Sequence, residues 1–362
     1  MALDAARNAA YARALAEVIG PSSVVLDVGA GTGIHGLIAA KLGARRVYLV
    51  EPEDVIAVAR EVAEANGATD VVRCLKGRIE EIELPESVDV IVSALAGNFV
   101  VAEDLLPALF SARDRFLKPG GTLIPGAAVM EAVPVTAESA HGTYVSAWSV
   151  LQAGVDLSGL RRYAANTVFF DSAPLREAVC LAEPRIVHAI DFSRDRYDGV
   201  HATVTYDVTQ SGICHGWAGW SRMRMGDDWL STSPFAAPVH WTAAYLPLDP
   251  PLSLEAGDSV SFRIDREPHG DWTWAVETPR DQQRHSTLLS EPLDADSLLK
   301  ARPDHLPSLS RDGEAVREVL SAFDGTRSAH DIADGLTMRF PGRFPSRREA
   351  LAFVQRLVKR HA

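Results

Sequence analysis

The run Val24-Val25-Leu26-Asp27-Val28, opening directly into Gly29-Ala30-Gly31-Thr32-Gly33, restricts the fold of this chain more than any other feature. A short, nearly continuous apolar run predicts a strand buried on both faces, and such strands belong to parallel sheets covered by helices. Glycines at its end let the backbone come close to a ligand, while the next helix points its free N–H groups at it. The pattern recurs downstream. Val47 to Val50 is a second run, ending at Glu51; Val88 to Ser93 is a third; Thr122-Leu123-Ile124 follows a Pro119-Gly120-Gly121 turn. Between them lie helical patterns, Val55, Val58, Ala59 and Val62 in one case and Glu103 to Leu117 in another. Residues 24–121 therefore predict a doubly wound α/β domain, placed within residues 1–126.

Past Pro125 the pattern changes to short alternating strands, such as Val200 to Val208, Ser259 to Arg266 and Trp272 to Glu277. They predict an antiparallel sheet or barrel over 127–278, interrupted by a helix-like arm at 150–175. Residues 279–312, with Pro279, Pro292, Pro303 and Pro307, read as a linker. From Gly313 helices return, with Val316, Val319, Leu320 and Phe323 on one face, Leu351, Val354 and Val358 on another, and a cap expected at Ser328. The expected class is α/β, then an antiparallel β-barrel with a helical arm, then a small, mostly helical module at 313–362.

Charge sets that last module apart. The chain carries a net −12, which argues against nucleic-acid binding by the whole molecule. Residues 311–362 hold ten Lys/Arg against seven Asp/Glu, net +3, leaving 26 against 41, net −15, before them. Three cysteines far apart in sequence, Cys74, Cys180 and Cys214, suit a reducing, cytoplasmic setting and supply neither a disulfide framework nor a metal cluster. No apolar run is long enough to span a bilayer, and the opening residues lack the apolar core of a secretory leader.

The glycine string alone is equally compatible with a plain strand–helix turn. Glu51 adds to it: eighteen residues beyond Gly33, at the end of the second strand, a carboxylate can accept both hydroxyls of a ribose. The spacing departs from a dinucleotide site, because the third glycine of Gly-x-Gly-x-x-Gly would fall on Ile34. Asp27 also disfavours a pyrophosphate, which it would repel, and suits a cationic or amino-acid-bearing ligand.

These residues, followed by Lys76-Gly77-Arg78-Ile79-Glu80-Glu81, resemble class I S-adenosylmethionine-dependent methyltransferases with a Rossmann-like domain. More narrowly, the chain resembles the protein arginine methyltransferase family. Asp4, Arg7 and Tyr11, Ala112-Arg113-Asp114, Leu123-Ile124-Pro125, Ser231-Thr232-Ser233-Pro234 and His240-Trp241 carry the likeness from about residue 3 to 277. The resemblance implies S-adenosylmethionine as cofactor. Glu51 would hold its ribose, Glu80 with Ile79 its adenine, and Gly29, Gly31 and Gly33, beside Asp27, its methionyl part; Arg7 would take its carboxylate. It also implies two loop glutamates that clamp a substrate guanidinium. Here the second is Glu103, but the first is Ala94. A guanidinium pairs best with carboxylates on two edges, so an ordinary arginine pocket is not expected. Asn98 and Trp241 join Ala94 as expected substrate contacts. Glu103, with Asp4 and His240 as a proton relay, forms the expected catalytic set.

The family further implies that the 150–175 arm, with Leu151, Val155, Leu157, Leu160, Phe169 and Phe170, makes a homodimer. Too few residues precede Asp4 for the family's lid helix, so closure is expected from elsewhere. The tail resembles winged-helix modules that bind peptides, and its Arg339, Arg343, Arg347 and Arg348 cluster would also suit phosphate; a solvated helical cap is the simplest reading of it. Three functions follow: N-methylation of a peptide side chain or related amino acid, methylation of a small natural-product scaffold, or cofactor binding without catalysis.

Overall fold

A computed structural model describes residues 2–300 and 302–361. Nine elements open the chain: α1 (Ala5–Val18), β1 (Val24–Val28), α2 (Ile34–Lys41), β2 (Arg46–Glu51), α3 (Ile56–Ala65), β3 (Val72–Lys76), β4 (Val88–Ser93), α4 (Leu106–Phe116) and β5 (Leu117–Ile124). Their strands form a parallel sheet in the order β3-β2-β1-β4-β5. Every residue of β1 is buried, as a strand covered on both faces requires. The order reverses between β1 and β4, so the crevice at their carboxyl ends is where an open sheet of this type takes a ligand. Strand β3 escaped the sequence reading because Arg73 and Lys76 break its apolar run at the sheet edge. Helix α4 starts at Leu106, not at Glu103, since Asp104 has a positive φ of 54° and Pro107 sits in the first turn.

Eleven strands follow. β6 (Ala127–Thr136), β7 (Phe169–Phe170), β8 (Val179–Cys180), β9 (Arg185–Asp191), β11 (Gly212–Met225), β12 (Asp228–Ser231) and β13 (Ala244–Leu254) build one antiparallel sheet around β11. β10 (Val200–Asp207), β14 (Ser259–Arg266), β15 (Thr273–Glu277) and β16 (Gln282–Ser286) build a second. Trp217 of β11 stacks on Phe262 of β14 with centroids 4.7 Å apart, and the Trp274 indole N–H of β15 donates to the Pro247 carbonyl of β13. These aromatic side chains are fully buried, each contributing on the order of 2–3 kcal/mol of apolar burial. One continuous core joins the sheets to the parallel domain, and a single compact unit extends to Pro292.

Two expectations change here. The linker over 279–312 is wrong in its first part: Gln282–Ser286 is a paired strand, with His285 stacked on Trp274, and the unit boundary falls at Pro292/Leu293. In the arm at 150–175 the helical pieces are single turns at Ser158–Leu160, Arg161–Ala164 and Ala173–Leu175, with the short strand β7 between them, because Gly154, Gly159 and Pro174 interrupt any longer helix.

The second unit packs helices Arg311–Ser321, Ala329–Arg339 and Arg347–His361 around Val319, Ile332, Leu336, Phe340 and Val354. Ser328 caps the middle helix in a reciprocal box with Asp331. On the first helix the buried stripe is Ala315 and Val319, and Leu320 faces solvent. Among the described residues this unit has no strand, so the expected wing is absent.

Candidate active site

Each part of the crevice beside β1 has a physical reason for its shape. Gly29, Gly31 and Gly33 all take positive φ (69°, 54° and 81°), which only glycine adopts without strain. A Cβ on Gly29 would also lie 2.7 Å from Leu95 Cδ2. The Gly31 N–H donates to Glu51 Oε2 at 2.9 Å and the Glu53 N–H to Oε1 at 3.0 Å, which fixes the buried Glu51 carboxylate against the glycine turn. Asp27 accepts the Gly36 N–H at 2.8 Å inside the sheet. Burial, with the Glu51 charge adding to it, pushes the Asp27 carboxyl up to about 7. Beside the turn lies a cavity of about 140 Å³ lined by Gly29, Val50, Gly77, Ile79, Glu80 and Leu95. Ile79 is buried and Glu80 exposed, so the slot offers apolar walls with a carboxylate at its rim.

Helix α1 supplies the cation. Arg7 is buried, with its guanidinium 5.1 Å above the Trp241 ring and its Nε 3.9 Å from Asp4 Oδ2. Tyr11, one turn on, donates to the Ser93 carbonyl at 2.7 Å and stacks on His35 with centroids 3.9 Å apart. His35 is a site residue the sequence reading passed over; its signal was a histidine in the first turn of the helix after the glycines. Burial, reinforced by the Arg7 charge, drops its imidazole to about 3, so it is neutral at pH 7.

The segment after β4 carries the acceptor side. Ala94 and Leu95 pack on the core, leaving Glu103 as the carboxylate expected from the motif. Its Oε1 accepts the Asn98 side-chain N–H at 2.9 Å, and a Cβ on Gly97 would collide with Oε2, so the carboxylate packs directly against Gly97. Burial raises the Glu103 carboxyl, while the backbone and side-chain N–H of Asn98 pull it down. Asn98 Oδ1 accepts from the Thr242 N–H at 2.8 Å and hydroxyl at 3.2 Å. Phe99, Val100 and Asp104 all take positive φ, a strained backbone for such side chains. Arg266 restrains it, donating to the Val101 carbonyl at 3.0 Å and to both oxygens of Asp104. The Asp104–Arg266 pair spans 162 residues and left no local trace in the sequence.

Asp4 and His240 do meet, but not as a relay between side chains. Asp4 Oδ2 accepts the His240 backbone N–H at 2.7 Å, and Oδ1 caps α1 through the Arg7 N–H at 3.0 Å. A carboxylate committed to backbone N–H groups does not orient the imidazole, which is exposed. Burial of part of the ring and the nearby Arg7 hold its pKa below the usual histidine value.

Residues 25–121 match the model of a methyltransferase domain, and residues 127–277 match that of the arginine methyltransferase oligomerization subdomain. The chain belongs to the arginine-methyltransferase-like class I methyltransferases. A histone-arginine methyltransferase named CARMER from Drosophila persimilis is 32% identical over 285 residues, covering 73% of this chain and 52% of the relative. Its counterpart from Drosophila virilis is 32% identical over 288 residues with the same coverage. The chain thus spans about half the length of the curated relatives it matches. Among solved structures, the Trypanosoma brucei PRMT1 enzyme–prozyme heterotetramer with AdoHcy superposes with a TM-score of 0.69 at 26% identity, covering 78% of this chain and 95% of that one. Arabidopsis thaliana protein arginine methyltransferase 10 shares the fold, with a TM-score of 0.65 at 24% identity, over 78% of this chain and 95% of that one.

For an arginine-methyltransferase-like chain the implied group is S-adenosylmethionine, and the residues present fit it. Gly29 holds a positive φ with Leu95 close beside it, Glu51 is fixed beside the turn, and the apolar slot ends at Glu80. In the second unit, Arg339, Arg343 and Arg347 pair with Glu318, Asp312 and Asp334, so three members of the basic cluster are already neutralised. Among the described residues no group of His, Cys, Asp and Glu could hold a metal, and no helix is long and apolar enough to cross a membrane.

Proposed function

We propose that this chain is an S-adenosylmethionine-dependent N-methyltransferase whose acceptor is a nitrogen on a peptide or protein side chain of arginine type. The observation that carries the reading is the fixed Glu51 carboxylate facing a glycine turn at the sheet's switch point, with Glu103 on the neighbouring loop. In this reading Glu51 holds the ribose, Ile79 and Glu80 flank the adenine, and Arg7 takes the methionyl carboxylate. The bound cofactor supplies an electrophilic methyl group on a sulfonium.

The chain's own residues then have two tasks, aligning the acceptor lone pair and stabilising positive charge as it arrives on the acceptor nitrogen. Glu103 does the second. The His240 imidazole, neutral at pH 7, accepts the proton released once the nitrogen has lost its basicity. Trp241, beneath the Arg7 guanidinium, keeps that cation in place.

The match to an oligomerization subdomain, with Val150, Leu151, Val155 and Leu160 exposed on the arm, supports a homodimer. Three free cysteines support a reducing, cytoplasmic location. Methyl-labelled cofactor incubated with arginine-containing peptides tests the activity, read by mass spectrometry. Addition of a methyl group to an arginine nitrogen, lost in Glu103→Gln, is expected. Transfer only to small non-peptide scaffolds would overturn the acceptor class.

A further inference from the structure

Asn98 was expected to meet the substrate, yet the structure places each polar atom of its amide on the protein. Nδ2 donates to Glu103 Oε1 at 2.9 Å, and Oδ1 accepts both the backbone N–H and the hydroxyl of Thr242. Thr242 directly follows Trp241, which lies under Arg7. One amide thus links the Glu103 loop to the segment just before β13 that carries Trp241, the ring beneath Arg7. The far side of the loop is anchored independently, by Arg266 and the His269 backbone N–H on Asp104.

We propose that Asn98 is a positioning residue that holds Glu103 ionised and oriented toward the acceptor, with Thr242 fixing which way the Asn98 amide points. The proposal rests on the reading of Glu103 as the acceptor carboxylate. Thr242 donates two hydrogen bonds, so the atom facing it must be the amide oxygen, and the NH2 group is left facing Glu103. That donor works against burial. Glu103 is solvent-exposed on one side and packs against Gly97 on the other; the desolvation there favours its neutral form, and the Asn98 N–H groups favour the carboxylate. The charged groups adjoining the loop are Asp104, paired with Arg266, and His269, 3.6 Å from Asp104. They engage one another on the side away from Asn98, and no ion pair joins them to Glu103 among the described residues. With Ala94 in place of the first clamp carboxylate and Asp104 committed to Arg266, the motif leaves no second clamp carboxylate to compensate if Glu103 protonates.

The test reads Glu103 directly and needs no methyl acceptor. Full-length protein labelled with carboxyl-13C glutamate is titrated by NMR, the Glu103 signal being assigned by its disappearance in Glu103→Gln. Asn98→Ala is expected to raise the Glu103 pKa by about one unit, the effect of losing a donor to a charged group. Thr242→Val, which keeps the backbone N–H, should shift it in the same direction by less. Asn98→Ser, which retains a short donor, should recover part of the shift. An unchanged Glu103 pKa in Asn98→Ala, with the protein folded by its thermal melt, overturns the proposal. So does an equal shift in Asn98→Ala and Asn98→Ser, because loop packing would then be responsible rather than the donor. If Glu103 were not the acceptor carboxylate, the pKa shift would persist while Glu103→Gln left methyl transfer intact, so the two failures are distinguishable.

Discussion

Glu51→Ala is the perturbation whose size follows most directly from the geometry. Each Glu51 oxygen accepts one backbone N–H, from Gly31 on Oε2 and from Glu53 on Oε1. A carboxylate has about four acceptor sites, so one lone pair remains on each oxygen, matching the two adjacent hydroxyls of a ribose. Hydrogen bonds to a charged acceptor contribute about 1.5–3 kcal/mol each, but both hydroxyls and both oxygens are hydrated before binding. The net loss in Glu51→Ala is therefore about 2–3 kcal/mol, or roughly 30- to 150-fold in Kd at about 1.4 kcal/mol per decade. Glu51→Gln keeps one acceptor but turns an NH2 group toward a backbone N–H, so its loss should approach that of alanine. Calorimetry with S-adenosylmethionine measures both, and a thermal melt without ligand checks that the glycine turn survives. Unchanged affinity in a folded Glu51→Ala protein would refute the assignment. A loss confined to glutamine would refute the lone-pair reasoning.

Further outcomes follow from the same geometry. The wild type should methylate arginine-containing peptides, but slowly, and Ala94→Glu should raise kcat/KM on them by about tenfold or more, through a second charge-assisted pair; methylation assays in which the wild type already matches the variant would remove the argument from the missing carboxylate. Glu103→Gln should lower kcat by roughly 10²–10³ with cofactor affinity retained, whereas His240→Ala should cost about tenfold near neutral pH and less at low pH, where the protonated wild-type imidazole can no longer accept a proton. Steady-state rates in which histidine is the indispensable residue would reverse these roles. His35, dropped to about 3 in the fold, must stay neutral while the unfolded chain binds a proton near 6.5, so stability is lost as pH falls through that window. At pH 5 the loss from this one group is about 2 kcal/mol, and His35→Leu should flatten the melting profile between pH 6.5 and 4.5. An unchanged slope would show that the ring escapes to solvent before it titrates.

The parallel domain was legible because its signals are local. A buried strand, a glycine turn and an acid at the end of the next strand lie within twenty-eight residues, from Val24 to Glu51, and each has one common structural use. The same holds for Ser328, whose cap needs only Asp331 three residues on. Strand β16 was misread as linker because Gln282, Gln283, Arg284 and His285 carry no apolar alternation; the strand is held by pairing with β15 and by the His285–Trp274 stack. The arm was misread for the opposite reason. Its apolar residues suggested a helix, while Gly154, Gly159 and Pro174 divide it into turns.

The candidate site was legible in its residue types and much less in their partners. Glu103 and Ala94 follow from counting along the loop after β4, but what holds Glu103 comes from Thr242, 144 residues beyond Asn98, and Arg266, 162 beyond Asp104. Those partners matter more here than in a site with two clamp carboxylates. Two carboxylates on separate edges of a guanidinium would draw its charge toward both edges and limit how it turns. One carboxylate leaves rotation about the remaining pair, so alignment of the lone pair falls on the rigidity of the loop itself. The strained backbone at Phe99, Val100 and Asp104 fits that demand, because such conformations persist only where the surroundings fix them from both sides. Here Thr242 and Arg266 are those two sides, and Glu103 lies between them.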